Sequence, residues 1–274
     1  MRIIRFLDGQ GRVSWGRDLG GGRAIPLRGD PWSGLEEGGG AVRVAKLLAP
    51  LQPAAIFGIG LNYRCHARET GMDEPASPVV FMKNPAAVQN PGDPIILPES
   101  CLDRPQVDYE VELALVIGRP ARDVAEEDAP AHLAGYTVGN DVSARIWQKR
   151  GGGGQWIRGK SFDTFCPLGP ALVTPEEIPD PLVLGLRTLL NGEVMQESNT
   201  AEMIFSPARL VAELSRGMTL LPGTVILTGT PGGVGFVRRP PVYLQPGDRV
   251  TLQVEGIGEL TNPVVSAREW NHRS

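Results

Sequence analysis

The chain has 274 residues, enough to bury one substantial core with a smaller companion unit. Its 27 Lys and Arg against 31 Asp and Glu leave a formal charge of −4, so no basic field exists to hold nucleic acid or an anionic membrane surface. Three cysteines, Cys65, Cys101 and Cys166, are odd in number and far apart, which excludes a disulfide framework and a zinc knuckle; no apolar run approaches the ~18 residues of a membrane span.

MRIIRF and RVSWG, joined by DGQG, predict a β-hairpin at the amino terminus, which turns polar too soon for a signal-peptide core. A reducing cytoplasm is the expected setting. The high glycine and proline content, 35 and 25 residues, accompanies an apolar fraction of 41%, so these residues read as turns between short strands and disfavour a helical bundle. Composition changes near Pro50 to Pro53, ahead of the apolar run Ala54 to Ile59. The expected organisation is a small N-terminal β domain over residues 1–50 and one larger unit over 51–274.

Of three histidines, His272 lies in the tail NHRS and His132 in the predicted helix EEDAPAHLAGY, both read as surface residues. That leaves His66 in GLNYRCHARETG. A single helical turn would put Glu69 on its face, where a carboxylate can orient the ring and raise its basicity. A His/Glu pair on an exposed turn is the alternative. Between Pro75 and Pro105, recurrent prolines around PVVFMK and DPIILP suit extended strands and tight connections.

VDYEVELALVIG, Val107 to Gly118, reads as one strand with Val107, Tyr109, Val111, Leu113 and Leu115 on one face and Asp108, Glu110 and Glu112 on the other. Same-face neighbours lie about 6 to 7 Å apart, close enough for carboxylates to repel unless a cation sits between them. A solvated face of an edge strand is the other reading. GYTVGNDVSAR then places Asp141 at a turn after a second β-like run, where it could join Glu110 and Glu112 in an all-oxygen site suited to Mg²⁺, Mn²⁺ or Ca²⁺; zinc would want imidazole or thiolate.

Gly154 to Ser161 matches the phosphate-loop pattern G-x-x-x-x-G-K-[ST], but no strand precedes it and FDTFCPLGP, with two prolines, follows where a helix should open. Lys160 therefore serves another anion or none. Further on, Ser206 can cap a helix with Pro207 in its first turn, an apolar stripe of Leu210, Val211 and Leu214, and Gly217 at its end. PGTVILTGTP and PGDRVTLQV resume the strands.

Taken in order, GLNYRCHARE, PVVFMK, VDYEVELALVIG, GYTVGNDVSAR, RGKSFDTFCPLGPALVT, NGEVMQESNT, LTGTPGGVG and LQPGDRVTLQVEGIGELTN resemble the fumarylacetoacetate hydrolase family over roughly residues 55 to 265. The resemblance implies an α+β, β-rich fold: a mixed β-sandwich or roll catalytic domain with few helices, assembled as a homodimer. It implies Mg²⁺ or Mn²⁺ held by Glu110, Glu112 and Asp141, a general base at His66 in N-Y-x-x-H-x-x-E with Glu69 beside it, and a substrate site including Lys160, Gln148, Thr164 and Thr230. Lys160 would then partner a substrate carboxylate or developing oxyanion. The chain departs from the family in having Ile146 where many members carry Asp after S-A-R, and Thr224 where many carry P-G-D. GKSFDTFCPLGPALVT and FVRRPPVYLQPGD are similar to a branch whose members are proposed to act on oxaloacetate.

The implied reaction class starts from a 2-oxo acid chelated to the ion through a carboxylate and its 2-oxo oxygen. The first expectation is hydrolysis of an acylpyruvate, with His66 activating water and Lys160 and Gln148 steadying the oxyanion. Tautomerisation or decarboxylation of oxaloacetate, or isomerisation of a 2-hydroxyhepta-2,4-diene-1,7-dioate, would use the same apparatus. An idle binder of metal and dicarboxylate is the alternative of a different class, disfavoured by the presence of both His66 and Glu69.

Overall fold

The computed structural model describes residues 1–151 and 154–271, with only the backbone of Arg150 and Gly151; His272 lies outside the described residues. The amino-terminal hairpin forms as its turn chemistry requires. The Asp8 carboxylate accepts the N–H groups of Gln10 and Arg12 at 2.8 and 3.0 Å, and Gly11 takes the left-handed conformation that closes the turn. The strands Arg2–Leu7 and Val13–Gly20 pair with Ile3 opposite Arg17 and Phe6 opposite Ser14. Arg2 and Ile3 also pair with Val173 and Leu172 of the strand Cys166–Val173, so the first fifty residues extend the main sheet edge to edge. Ile4, Phe6 and Ala24 are buried in the same core as the rest of the chain.

Among the described residues the large mixed sheet continues from Cys166–Val173 through Leu133–Asn140, Val111–Ile117, Val225–Leu227 and Ile56–Gly60 to Val79–Lys83. A five-stranded sheet, Ile95–Leu97, Gly258–Ser266, Arg249–Val254, Gly185–Leu190 and Glu193–Asn199, packs over it. Val111–Ile117 is buried at every position, the mark of a central strand covered on both faces. The protein is accordingly sheet-rich with few helices. No helix of the described residues is long and apolar enough to cross a membrane.

Three short helices matter here: α1 (Arg64–Thr70), α2 (Trp156–Lys160) and α3 (Pro207–Ser215). In α3 the Ser206 hydroxyl accepts the Arg209 N–H at 3.1 Å, Leu210, Val211 and Leu214 are buried, and Gly217 turns left-handed just beyond the end. Burying each of those side chains contributes about 1.5–3 kcal/mol. The predicted helix around His132 is instead a 3₁₀ turn, Glu126–His132, because Pro130 removes an N–H from its middle. His132 bonds the Pro120 carbonyl at 3.0 Å, away from the cavity described below.

A buried carboxylate centre

The strand predicted to run unbroken from Val107 to Gly118 is two pieces, Val107–Asp108 and Val111–Ile117. Side chains take over the ladder in the gap: the Asp108 carboxylate accepts the Tyr109 N–H at 2.9 Å, and the Asn140 and Gln196 side-chain oxygens accept the N–H groups of Glu110 and Val111, each at 3.1 Å. The partner chain is interrupted in step, between Leu133–Asn140 and Ser143–Ala144. Register is kept across the break, with Val107 opposite Ala144 and Val111 opposite Asn140. Glu110 therefore stands opposite Asp141, whose N–H donates to the Glu110 carbonyl at 3.0 Å, and Glu112 lies one same-face step further along. Each of the three carboxylates offers an oxygen within 4.8 Å of the others'. Directly opposed like charges destabilise a sheet, and here they are buried as well.

Cations answer part of that repulsion. Lys160 Nζ bonds Glu110 at 2.9 Å, Asp141 at 2.5 Å and the Ser143 hydroxyl at 2.7 Å; Lys83 Nζ bonds the other Asp141 oxygen at 2.6 Å; Arg145 bonds Glu110 at 2.6 Å. Burial would raise the Glu110 carboxyl, but Arg145 and Lys160 outweigh it and hold that group well below the usual carboxylate range. Burial would likewise lower the Lys160 ammonium, and Asp141 and Glu110 outweigh it to raise it. Glu112 is different. No cation among the described residues touches it, its partner is the Gly229 N–H at 2.6 Å, and burial together with the charges of Asp141 and Glu110 pushes its carboxyl well up. That loop can approach because Gly229 sits at φ +97°, where a side chain would also meet Asn62.

The donor set fits a divalent cation. It is all oxygen, hard, and one positive charge short at Glu112, and a carboxylate oxygen has lone pairs beyond those bonded to Lys83, Lys160 and Arg145. Glu110, Glu112 and Asp141 could hold the ion. They line a cavity of about 560 Å³.

The other predicted site residues divide. His66, on α1, lines that cavity and is 8% exposed; its Nδ1 is buried with no hydrogen-bond partner among the described residues, and burial, assisted by Arg145 and Lys160 against an opposing Glu110, lowers its pKa to about 4. Glu69 also lines the cavity but does not orient that ring. Its carboxylate accepts the Gly233 N–H at 2.6 Å, because the glycine-rich loop offers a main-chain donor closer at hand. Gln148 lines the cavity and accepts a bond from Arg145 at 3.1 Å; Thr230 lines it and accepts one from Gln196 at 2.8 Å. Lys160 is present, yet all three of its N–H donors are spent on protein oxygens, so it braces the carboxylates and has none to offer a substrate in this state. Thr164 is a correction: it is not part of the cavity wall, since its left-handed backbone, φ +69°, turns the hydroxyl to the Ile96 N–H at 2.9 Å. The phosphate-loop match also fails in space, for Lys160 ends α2 where a phosphate loop would need it at a helix start.

Sequence reasoning missed Lys83, Arg145 and Gln196, and misplaced Asp108. The Asp108 carboxylate is not part of the cavity wall; it accepts from Arg145 Nε at 2.9 Å and from the N–H groups of Gly235 and Phe236 at 2.7 and 3.1 Å. A lysine inside the apolar PVVFMK and an arginine ending S-A-R were the available signals, since buried charge requires a partner, but neither motif names one.

Residues 55–265 match the model described as fumarylacetoacetate (FAA) hydrolase C-terminal, and residues 1–50 match Rv2993c-like, N-terminal. The chain is 49% identical over 220 residues to oxaloacetate tautomerase fahd2, mitochondrial, of Xenopus laevis, covering 80% of this chain and 68% of that protein. It is similar in structure to a 5-carboxymethyl-2-hydroxymuconate delta-isomerase from Mycobacterium smegmatis, at 42% identity and TM-score 0.85, covering 97% of this chain and 100% of the other. A fumarylacetoacetate hydrolase from the psychrophilic Exiguobacterium antarcticum matches at 38% identity and TM-score 0.85, covering 97% and 99%. A family match over most of the chain, a curated relative at nearly half identity and the buried acidic triad agree: this chain belongs to the fumarylacetoacetate hydrolase family of enzymes.

Proposed function

We propose that the protein catalyses proton transfer at carbon 3 of a small 2-oxo acid, with keto–enol tautomerisation of oxaloacetate as the first reaction to assign and double-bond isomerisation of an unsaturated 2-hydroxy dioate as its close variant. The observation that carries this is one cavity holding a base kept neutral, His66, beside three converging carboxylates. When bound, Mg²⁺ or Mn²⁺, with Ca²⁺ as a substitute, supplies Lewis acidity to a chelating 2-oxo acid and so acidifies its C3–H. His66 does the proton work. In the keto-to-enol direction the C3–H bond breaks, its electron pair forms the C2–C3 double bond as the carbonyl π pair moves onto the 2-oxo oxygen, the C3 proton passes to His66, and His66 delivers a proton to that oxygen; the reverse retraces these steps. Lys160, Lys83 and Arg145 hold the carboxylates in place, and Gln148 and Thr230, which line the same cavity, are assigned to the substrate's oxygens.

The expectation of C–C hydrolysis moves to second place. Of the three named proteins, the two most identical in sequence are a tautomerase and an isomerase, both reactions that need a proton shuttled and no water aligned on a distal carbonyl. Assay of oxaloacetate enol decay with and without Mg²⁺, alongside acylpyruvate cleavage and CO₂ release, separates the readings. Faster acylpyruvate cleavage than oxaloacetate tautomerisation would overturn the first. The reading includes assembly as a homodimer, which sedimentation of the purified protein measures.

A further inference from the structure

Two cations line the cavity without belonging to the carboxylate centre, and they come from separate segments. Lys149 projects from the wide turn Trp147–Gly151, its Nζ 3.7 Å from the centre of the Phe236 ring, which the Arg145 guanidinium also approaches at 4.5 Å. Arg239 follows the short turn Gly235–Val237; one nitrogen of its guanidinium donates to the carbonyls of Val237 and Arg238 at 3.3 and 3.2 Å, and no carboxylate among the described residues pairs with it.

Inside the centre each cation is matched to a carboxylate, and the 2-oxo acid head is accounted for by the ion. Arg239 therefore adds positive charge to the wall of a cavity whose anionic head group is already placed, in a protein of net charge −4. Arg suits a carboxylate because its planar donors match two oxygens at once, and Lys adds a point charge. We infer that Lys149 and Arg239 recognise a second carboxylate at the far end of the substrate, which makes the enzyme selective for dicarboxylic 2-oxo acids over monocarboxylic ones.

The inference rests on the 2-oxo acid reading above, and the test keeps the two apart. Arg239→Gln, Lys149→Gln and the double variant are assayed at saturating Mg²⁺ for the KM of oxaloacetate and for inhibition by oxalate, which carries the chelating head without a distal carboxylate. Each single variant should raise the KM about five- to tenfold, and the double variant more, the range for partly solvated charge-assisted pairs. The oxalate Ki should move less than about twofold, which also reports an intact cavity. An unchanged oxaloacetate KM in the double variant, or an oxalate Ki rising in parallel with it, overturns the inference while leaving the chemistry standing. A wild-type enzyme that neither turns over oxaloacetate nor binds oxalate overturns both.

Discussion

Glu110 and Asp141 face each other across an interrupted strand pair, joined by a 3.0 Å main-chain bond, with the Lys160 ammonium binding a carboxylate oxygen of each. Long-range strand pairing thus brings two like charges together, and the same juxtaposition that costs stability creates an ion site. Glu112 completes it as the member that no cation of the described residues touches, and the experiments below turn on that asymmetry.

Replacing Glu112 by Gln keeps the side-chain volume and the Gly229 bond but removes the charge left uncompensated. Affinity for Mn²⁺ should fall by more than the roughly 10- to 100-fold that outer partners of a metal site cost, and metal-dependent turnover should vanish. Calorimetric titration of Mn²⁺ into wild type and variant checks it; equal affinities would remove Glu112 from the ligand set.

His66→Gln should leave Mn²⁺ affinity within a few-fold of wild type and lower kcat by about 10² to 10⁴, the usual worth of a positioned acid–base group. Parallel loss of metal and rate would make His66 a support of the ion site.

A base must be neutral to accept a proton. With burial bringing the His66 pKa down to about 4, the protonated, inactive form appears only as the pH falls through that value. At saturating Mn²⁺ the His66 limb of kcat/KM should therefore lie near pH 4, and not near the ~6.5 of an exposed imidazole. An acid limb centred near 6.5 that disappears in His66→Gln would contradict the buried ring.

Lys83 is 1% exposed and, among the described residues, bonds Asp141 and the Val142 carbonyl. Lys83→Met leaves a buried carboxylate short of one counter-charge, a loss of about 3–5 kcal/mol for a broken buried pair. Added Mn²⁺ should recover part of it by supplying positive charge at the same carboxylate. Urea unfolding midpoints with and without Mn²⁺ measure this; a deficit unaffected by the ion would mean that Lys83 does not share Asp141 with it.

What the residues decide alone is local. The Asp8 turn, the capped helix at Ser206 and the alternating strands follow from conformational preference and apolar spacing within a dozen neighbours, and the family motifs pick out Glu110, Glu112, Asp141 and His66 as a set. The periodic pattern of Val107 to Gly118 overran its mark, because side-chain oxygens of Asn140 and Gln196 compete for the N–H groups of Glu110 and Val111 and break the strand. Tertiary structure alone decides the register that sets Glu110 opposite Asp141, the cations assigned to each, the placing of Asp108 and Thr164 outside the cavity wall and the pairing of Glu69 with Gly233. Those contacts join residues far apart along the chain. Their choice depends on which buried donor lies nearest when the sheets close, and no spacing within one segment carries that distance.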